Sequence, residues 1–189
     1  ACFLISHIYS KFHHNYQFYM RKLLQLIYYE DPTNAITEKC SMAASIALSA
    51  QLTEKPNLAR NLMNEDTFQQ IFITAQGKNT ATKAALINVL LCLVKESTDE
   101  NFWKIFAIGQ NQQADIFDFI SELAEINNHT FKVSLQLLLE IFKKSALFNM
   151  LDKCKENFLR AFSESFFEKA DIFDDKDITS KLQILRNYL

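Results

Sequence analysis

The chain has 189 residues with 20 basic and 22 acidic side chains, and nearly half of it is apolar, including 17 Phe, against only two Gly and two Pro. So few chain breakers exclude β-sandwiches and doubly wound α/β folds, whose turns and phosphate loops need Gly and Pro at many positions. They predict an all-helical chain, long enough to bury about two thirds of its unfolded surface. The near-balanced charge supplies no field to draw the chain to nucleic acid or anionic lipid. The longest unbroken apolar run, Val89 to Val94, falls far short of a membrane span of ~20 residues. A soluble chain whose partner is another protein is expected.

In chain order, one kind of helix returns every 41 to 49 residues, small residues first and large aliphatics after. Three copies are clear: Ala43-Ala44-Ser45-Ile46-Ala47-Leu48, Ala84-Ala85-Leu86-Ile87-Asn88-Val89 and Val133-Ser134-Leu135-Gln136-Leu137-Leu138. Fainter copies begin at Cys2 and near Lys181, so the copies fall near 2–11, 37–52, 80–96, 130–144 and 178–189. Because the first residues already read as mid-helix, the chain is expected to be one domain cut from a longer protein. Between copies come two further helices. Pro56 suits the first turn of a short helix to about Met63, since its missing N–H has no intrahelical partner there. A helix from Glu65 to Gln76 follows, with Gly77 able to take a left-handed C′ position, and the next copy starts at Thr80 or Thr82. The following unit repeats the plan: Asp99 to Ile108 closed by Gly109, then Gln113 to Asn127, then Phe131 to Lys144. Ile116, Ile120 and Leu123 recur at helical spacing between Asp118, Glu122 and Glu125, as for a helix with one buried face. The last stretch, Asp152 to Lys176, reads as an extended helix carrying Phe158, Phe162, Phe166 and Phe167 before an acidic run.

This short-long-long unit resembles the armadillo and HEAT superfamily of α-solenoids, and its three helices favour the armadillo-like form. The resemblance implies a right-handed solenoid whose third helices line a concave binding groove; an irregular helical bundle is the alternative. In the peptide-binding members an Asn ladder on those helices holds an extended peptide. The corresponding positions here are Ala50, Leu91 and Glu140, which points instead to a helix or a folded surface as partner.

Sites for chemistry are sparse. A positioned nucleophile commonly sits on a strained Gly-bearing turn, and Gly77 and Gly109 are too far apart for any glycine-rich catalytic or phosphate-binding motif. Cys2, Cys40, Cys92 and Cys154 form no paired motif and read as buried thiols of a reducing compartment, cytoplasm or nucleus. Cys2, His7, His13 and His14 supply zinc-type donors without ligand spacing. Glu164 and Glu168 share a helical face and read as a solvated one. The chain is therefore expected to be non-catalytic, with no cofactor, metal or small-molecule substrate.

For binding, Lys11, His13, His14, Arg21 and Lys22 interleave with Tyr16, Phe18 and Tyr19, a strip that could touch phosphates and stack on bases; Glu30 and Asp31 follow soon after, so nucleic acid is the secondary reading. The primary reading is a scaffold within a larger intracellular assembly. Its contacts would come from the polar residues of the third helices, Asn88, Lys95, Gln136, Glu140 and Lys144, and from the aromatic surplus at Trp103, Phe166 and Phe167, aromatic anchors being common at interfaces. Trp103 reads as core before it reads as a contact. The aromatic and acidic C-terminal segment offers a route to self-association.

Overall fold

The computed structural model describes residues 16–29, 35–64, 67–107, 115–168 and 175–189. All regular structure among them is α-helical, in two compact units, Ala1–Ser97 and Thr98–Leu189. None of these helices is long and apolar enough to cross a membrane.

The first unit runs α1 (Tyr16–Tyr28), α2 (Ala35–Glu54), α3 (Pro56–Asn64), α4 (Thr67–Gln76) and α5 (Thr80–Glu96). Its centre is the pair α2 and α5, the clear first and second copies of the repeated helix; α1 packs on α2, while α3 and α4 pack on α5. Glu38 meets Thr82, 44 residues away, through a 2.9 Å hydrogen bond from the Thr82 hydroxyl. Further along, the Cys92 thiol lies 3.8 Å from the Ser49 carbonyl, 43 residues away. Start meets start and end meets end, so the two helices run parallel, offset by about one repeat. Small side chains allow this packing: Ser41, Ala44, Ser45 and Ala47 of α2 are wholly buried. They surround α2 because it is covered by α1 as well as by α5. Pro56 opens α3 as its fixed φ favours. Asn79 caps α5, its side chain accepting from the Thr82 amide at 2.9 Å, which fixes the start at Thr80. At the far end of α1 the last carbonyls find side-chain donors: Ser41 bonds the Ile27 carbonyl and the buried Lys78 bonds that of Tyr29 at 3.1 Å. An ammonium group there also suits the negative end of the helix dipole.

The second unit runs α6 (Asp99–Phe102), α7 (Lys104–Ala107), α8 (Ile116–Ala124), α9 (Asn128–Leu147), α10 (Leu151–Ala161) and α11 (Lys176–Tyr188). Here α9 is central, in contact with α8, α10 and α11. Lys132 pairs with Asp175, the N-cap of α11, and Phe142 meets Tyr188 near its end, so α9 and α11 are also parallel and again about one repeat apart. Ile116, Ile120 and Leu123 face inward as their spacing predicts, joined by Phe117 and Phe119. The start of α9 moves ahead of Phe131 to Asn128 because Asn127 caps it and Thr130 returns the bond to the Asn127 amide.

Two expected helices are corrected. The helix expected from Asp99 to Ile108 is interrupted at Trp103, giving the short α6 and α7. The helix expected from Asp152 ends at Ala161, where Phe162 turns extended (φ −118°, ψ 133°). Burial decides this second case. Phe158, Phe162 and Phe166 close into a cluster with centroids 4.6 to 6.0 Å apart, and Phe166 reaches Phe131 of α9 at 5.3 Å. A continuous helix would have strung these rings along its length. The expected copy near 2–11 and the glycine stop at Gly109 lie outside the described residues.

Ser134, at the small-residue position of α9, is wholly buried and its hydroxyl has no hydrogen-bond partner. Ser134→Ala should therefore raise stability by about 0.5–1 kcal/mol, by removing a desolvated hydroxyl and improving helix propensity. Ser134→Leu should overpack the site and lower stability by ~1–3 kcal/mol. Urea unfolding midpoints check both.

Candidate partner-binding surface

In the first unit α5 carries Asn88 and Lys95 two turns apart. Asn88 is half-buried and its amide donates to the Ala84 carbonyl of the same helix at 3.4 Å, while Lys95 is exposed in the last turn. Between them Cys92 sits half-buried, 3.5 Å from the Thr53 hydroxyl, so this face of α5 borders α2. Ala50, at the position where the ladder would have its Asn, is exposed, and Leu91 is half-buried. Cys92 and Cys40, expected as buried thiols, are only half-buried, and Cys92 lies on the seam between α5 and α2.

In the second unit Gln136, Glu140 and Lys144 form a half-buried row on α9 at four-residue spacing. Gln136 donates to the Glu140 carboxylate at 3.3 Å, and the Lys144 ammonium lies 5.6 Å from the centre of the Phe148 ring. Trp103 is 51% exposed, its indole N–H already bonded to the Glu100 carbonyl at 2.9 Å. The break between α6 and α7 sends Phe102 inward, where it meets Phe148 at 5.4 Å and Phe106 at 5.6 Å. Lys144 thus lies over a ring, Phe148, that meets Phe102, while Trp103, next to Phe102 in the chain, faces solvent. Phe166 is 3% exposed and packs within the Phe158 cluster; Phe167 is half-buried under the Arg186 guanidinium at 5.0 Å. Two exposed residues near the Phe102 cluster carry no repeat signal in the sequence: Leu147 and Lys153, whose ammonium lies 5.6 Å from the Phe106 ring centre. Nothing in local spacing marks either residue, since Phe106 lies 47 residues before Lys153 in the chain.

An open cleft of about 390 Å³ lies between α8 and the end of α10, lined by Ser121, Glu125, Leu159, Arg160, Ser163 and Phe166. Its guanidinium is engaged: Arg160 binds Asp118 at 2.9 Å and Asp115, the N-cap of α8, at 2.6 Å. The Asp118 hydrogen bond, with both carboxylates adding charge, holds Arg160 even more firmly protonated than usual. Cys154 is buried, which pushes its thiol up to about 12, against a smaller opposing effect of the Ser145 hydroxyl. Glu164 and Glu168 are exposed. Among the described residues no three His, Cys, Asp or Glu side chains gather as metal ligands. Cys2, His7, His13 and His14 lie outside those residues.

No family model matches this chain. No curated protein matches it, and no solved structure does.

Two measurements follow from the titrating groups. The hydrogen bond from Lys132, assisted by the Ile178 and Asp177 amides, holds Asp175 below its ordinary value of 3.8. A depressed carboxylate contributes stability above its unfolded pKa and loses it as pH falls through the folded value. Asp175→Asn keeps a capping side chain but loses the charge, so it should be less stable than the parent at pH 7, with the difference shrinking as pH falls below 3.8; urea midpoints across that range read this. Cys154 should resist alkylation by iodoacetamide in the native protein at pH 8 and react on unfolding, since only the thiolate is nucleophilic.

Proposed function

We propose that this chain is a non-catalytic protein–protein interaction scaffold, a stretch of right-handed α-solenoid built from armadillo-like three-helix repeats. In this reading it serves a larger intracellular assembly, cytoplasmic or nuclear. It presents a rigid surface to a helix or a folded partner. The observation that supports it best is register. Glu38 with Thr82 and Ser49 with Cys92 are separated by 44 and 43 residues, within the spacing at which the helix type returns in the sequence, and Lys132 with Asp175 repeats the relation in the other unit. Parallel contact between like helices one repeat apart is how a solenoid buries its core, whereas an irregular bundle has no reason to keep that offset. The contact residues of this reading are Asn88 and Lys95 in the first unit and Trp103, Gln136, Glu140 and Lys144 in the second. Phe167 and the segment around Phe166 would serve self-association instead.

A nucleic-acid role is the second reading, favoured by one observation: Phe18 is exposed, with the Lys22 ammonium 5.4 Å from its ring centre and Arg21 exposed beside it. Tyr19 of the same strip is buried in the core, which leaves less aromatic surface for bases.

Small-angle scattering tests the architecture: a compact chain of this length has a radius of gyration of about 16 Å, and the solenoid reading expects a clearly larger value and an elongated profile. A compact profile would overturn the solenoid. Affinity capture tests the role, with the triple variant Asn88→Ala, Lys95→Glu, Lys144→Glu as control. A protein held by the parent and released by the variant supports the scaffold; none captured, or equal retention, opposes it. Labelled RNA bound at low salt and released steeply with added salt would favour the second reading.

A further inference from the structure

We propose that the first unit associates with a second copy of this chain, α2 lying antiparallel on α2 of the other copy about a two-fold axis near Ile46. The inference goes beyond the scaffold reading and needs only the described first unit. Two sides of α2 are already taken. Ser41 faces α1 through its bond to the Ile27 carbonyl, while Glu38, Ser49 and Thr53 border α5. The remaining side carries Ile36, Lys39, Ala43, Ile46, Ala50 and Glu54, spaced three and four residues apart, so that successive side chains along it are neighbours. Ile36, Lys39, Ala50 and Glu54 are exposed, Ile36 at 68%, and Ala43 and Ile46 are half-buried. They form one strip about 27 Å long, apolar in the middle and charged towards its ends.

Those charges select the occupant. Of the three on α2, Glu38 accepts the Thr82 hydroxyl at 2.9 Å. Lys39 and Glu54 pair with no side chain among the described residues. Having opposite sign at opposite ends, they make the strip complementary to itself. In an isologous contact residue i meets j and j meets i, so an antiparallel pair sets Lys39 against Glu54 of the other copy twice, Ala43 against Ala50 twice, and Ile46 against its equivalent at the axis. A parallel pair would oppose Lys39 to Lys39 and Glu54 to Glu54, which costs free energy. Ala43 and Ala50 let the two backbones come close where the helices cross. One helical strip is smaller than a standard interface, so the association is weak and reversible. With one charge of each sign the strip has no net field to draw a nucleic acid.

Sedimentation equilibrium of the full chain from about 1 to about 200 µM tests this. The parent should pass from monomer towards dimer across that range, less so as salt is added. Lys39→Glu and Glu54→Lys change exposed side chains, and circular dichroism checks that each variant stays folded. Each sets like charges against one another at both ends of the strip, so each should lower the association constant about tenfold. An equimolar mixture of the two variants is the decisive arm. One chain then carries Glu at both ends and the other Lys at both, so the mixture should regain a dimer containing one of each, and the double variant Lys39→Glu, Glu54→Lys should associate as the parent does. A parent that stays monomeric throughout overturns the proposal and leaves the strip to an unlike partner. Single variants that dimerise like the parent also overturn it, by moving self-association to another surface such as the C-terminal segment. So does a mixture that associates no better than its components.

Discussion

Close parallel packing of one helix type against its own repeat is the constraint on which the rest depends. Helices approach closely only where side chains are small, and α2 meets that need with Ser41, Ala44, Ser45 and Ala47, all wholly buried. Once α2 and α5 lie side by side, the chain between them must leave the end of α2 and return to the start of α5, because parallel neighbours cannot be joined by a tight turn. That return is made by α3 and α4, each of which buries one face against α5. In the other unit α9 and α11 stand in the same relation, and α10 lies between them in the chain. A return path of one or more helices is therefore a geometric consequence of parallel stacking.

Ion pairs set positions in this arrangement more than they supply stability. Arg160 joins α10 to the first turn of α8 through both carboxylates of its capping box, and Lys132 joins α9 to the N-cap of α11. The cationic partners reach solvent, where screening leaves such pairs little net contribution. The apolar side chains beside them bury far more: Ile178, Leu182 and Leu185 of α11 and the rings around Phe158 are almost wholly removed from water. What the charges add is selection among registers. In α11 one carboxylate caps the helix and accepts Lys132 at once, so sliding the helix along α9 by a turn would break the ion pair while the cap moved with the helix.

The helix class, the small-residue copies and the inward face of α8 were legible because each is written in local periodicity. Pro56 and the Ile116–Ile120–Leu123 spacing carry their meaning within a dozen residues. The end of α10 was not legible. A helix through Phe166 satisfies every local preference, and only contact with Phe131, on another helix, makes the turn at Phe162 favourable. The stop of α9 was hidden for a different reason. Asn149 takes the left-handed conformation (φ 57°) with the Met150 amide bonded back to the Ser145 carbonyl, a role sought at glycines and filled here by Asn, which bears αL better than most residues. Of the candidate contacts, Lys95 and Trp103 are exposed and Phe166 is buried, an outcome that depends on which rings cluster and that composition alone leaves open.

The polar residues of the repeated helices and the aromatic surplus differ in what they leave for a partner. Asn88 bonds its own helix and Gln136 bonds Glu140, so a partner would have to exchange an existing bond for each new one and would gain little net. Trp103 and Leu147 present no such competition. Their apolar surface is in water, and covering it returns on the order of 25 cal/mol per Å². Covering such apolar surface returns more free energy than exchanging the hydrogen bonds of the α9 row. The interruption at Trp103, like the extended turn at Phe162, is a place where local helix preference gives way to the burial of neighbouring rings, Phe102 in one case and Phe162 and Phe166 in the other.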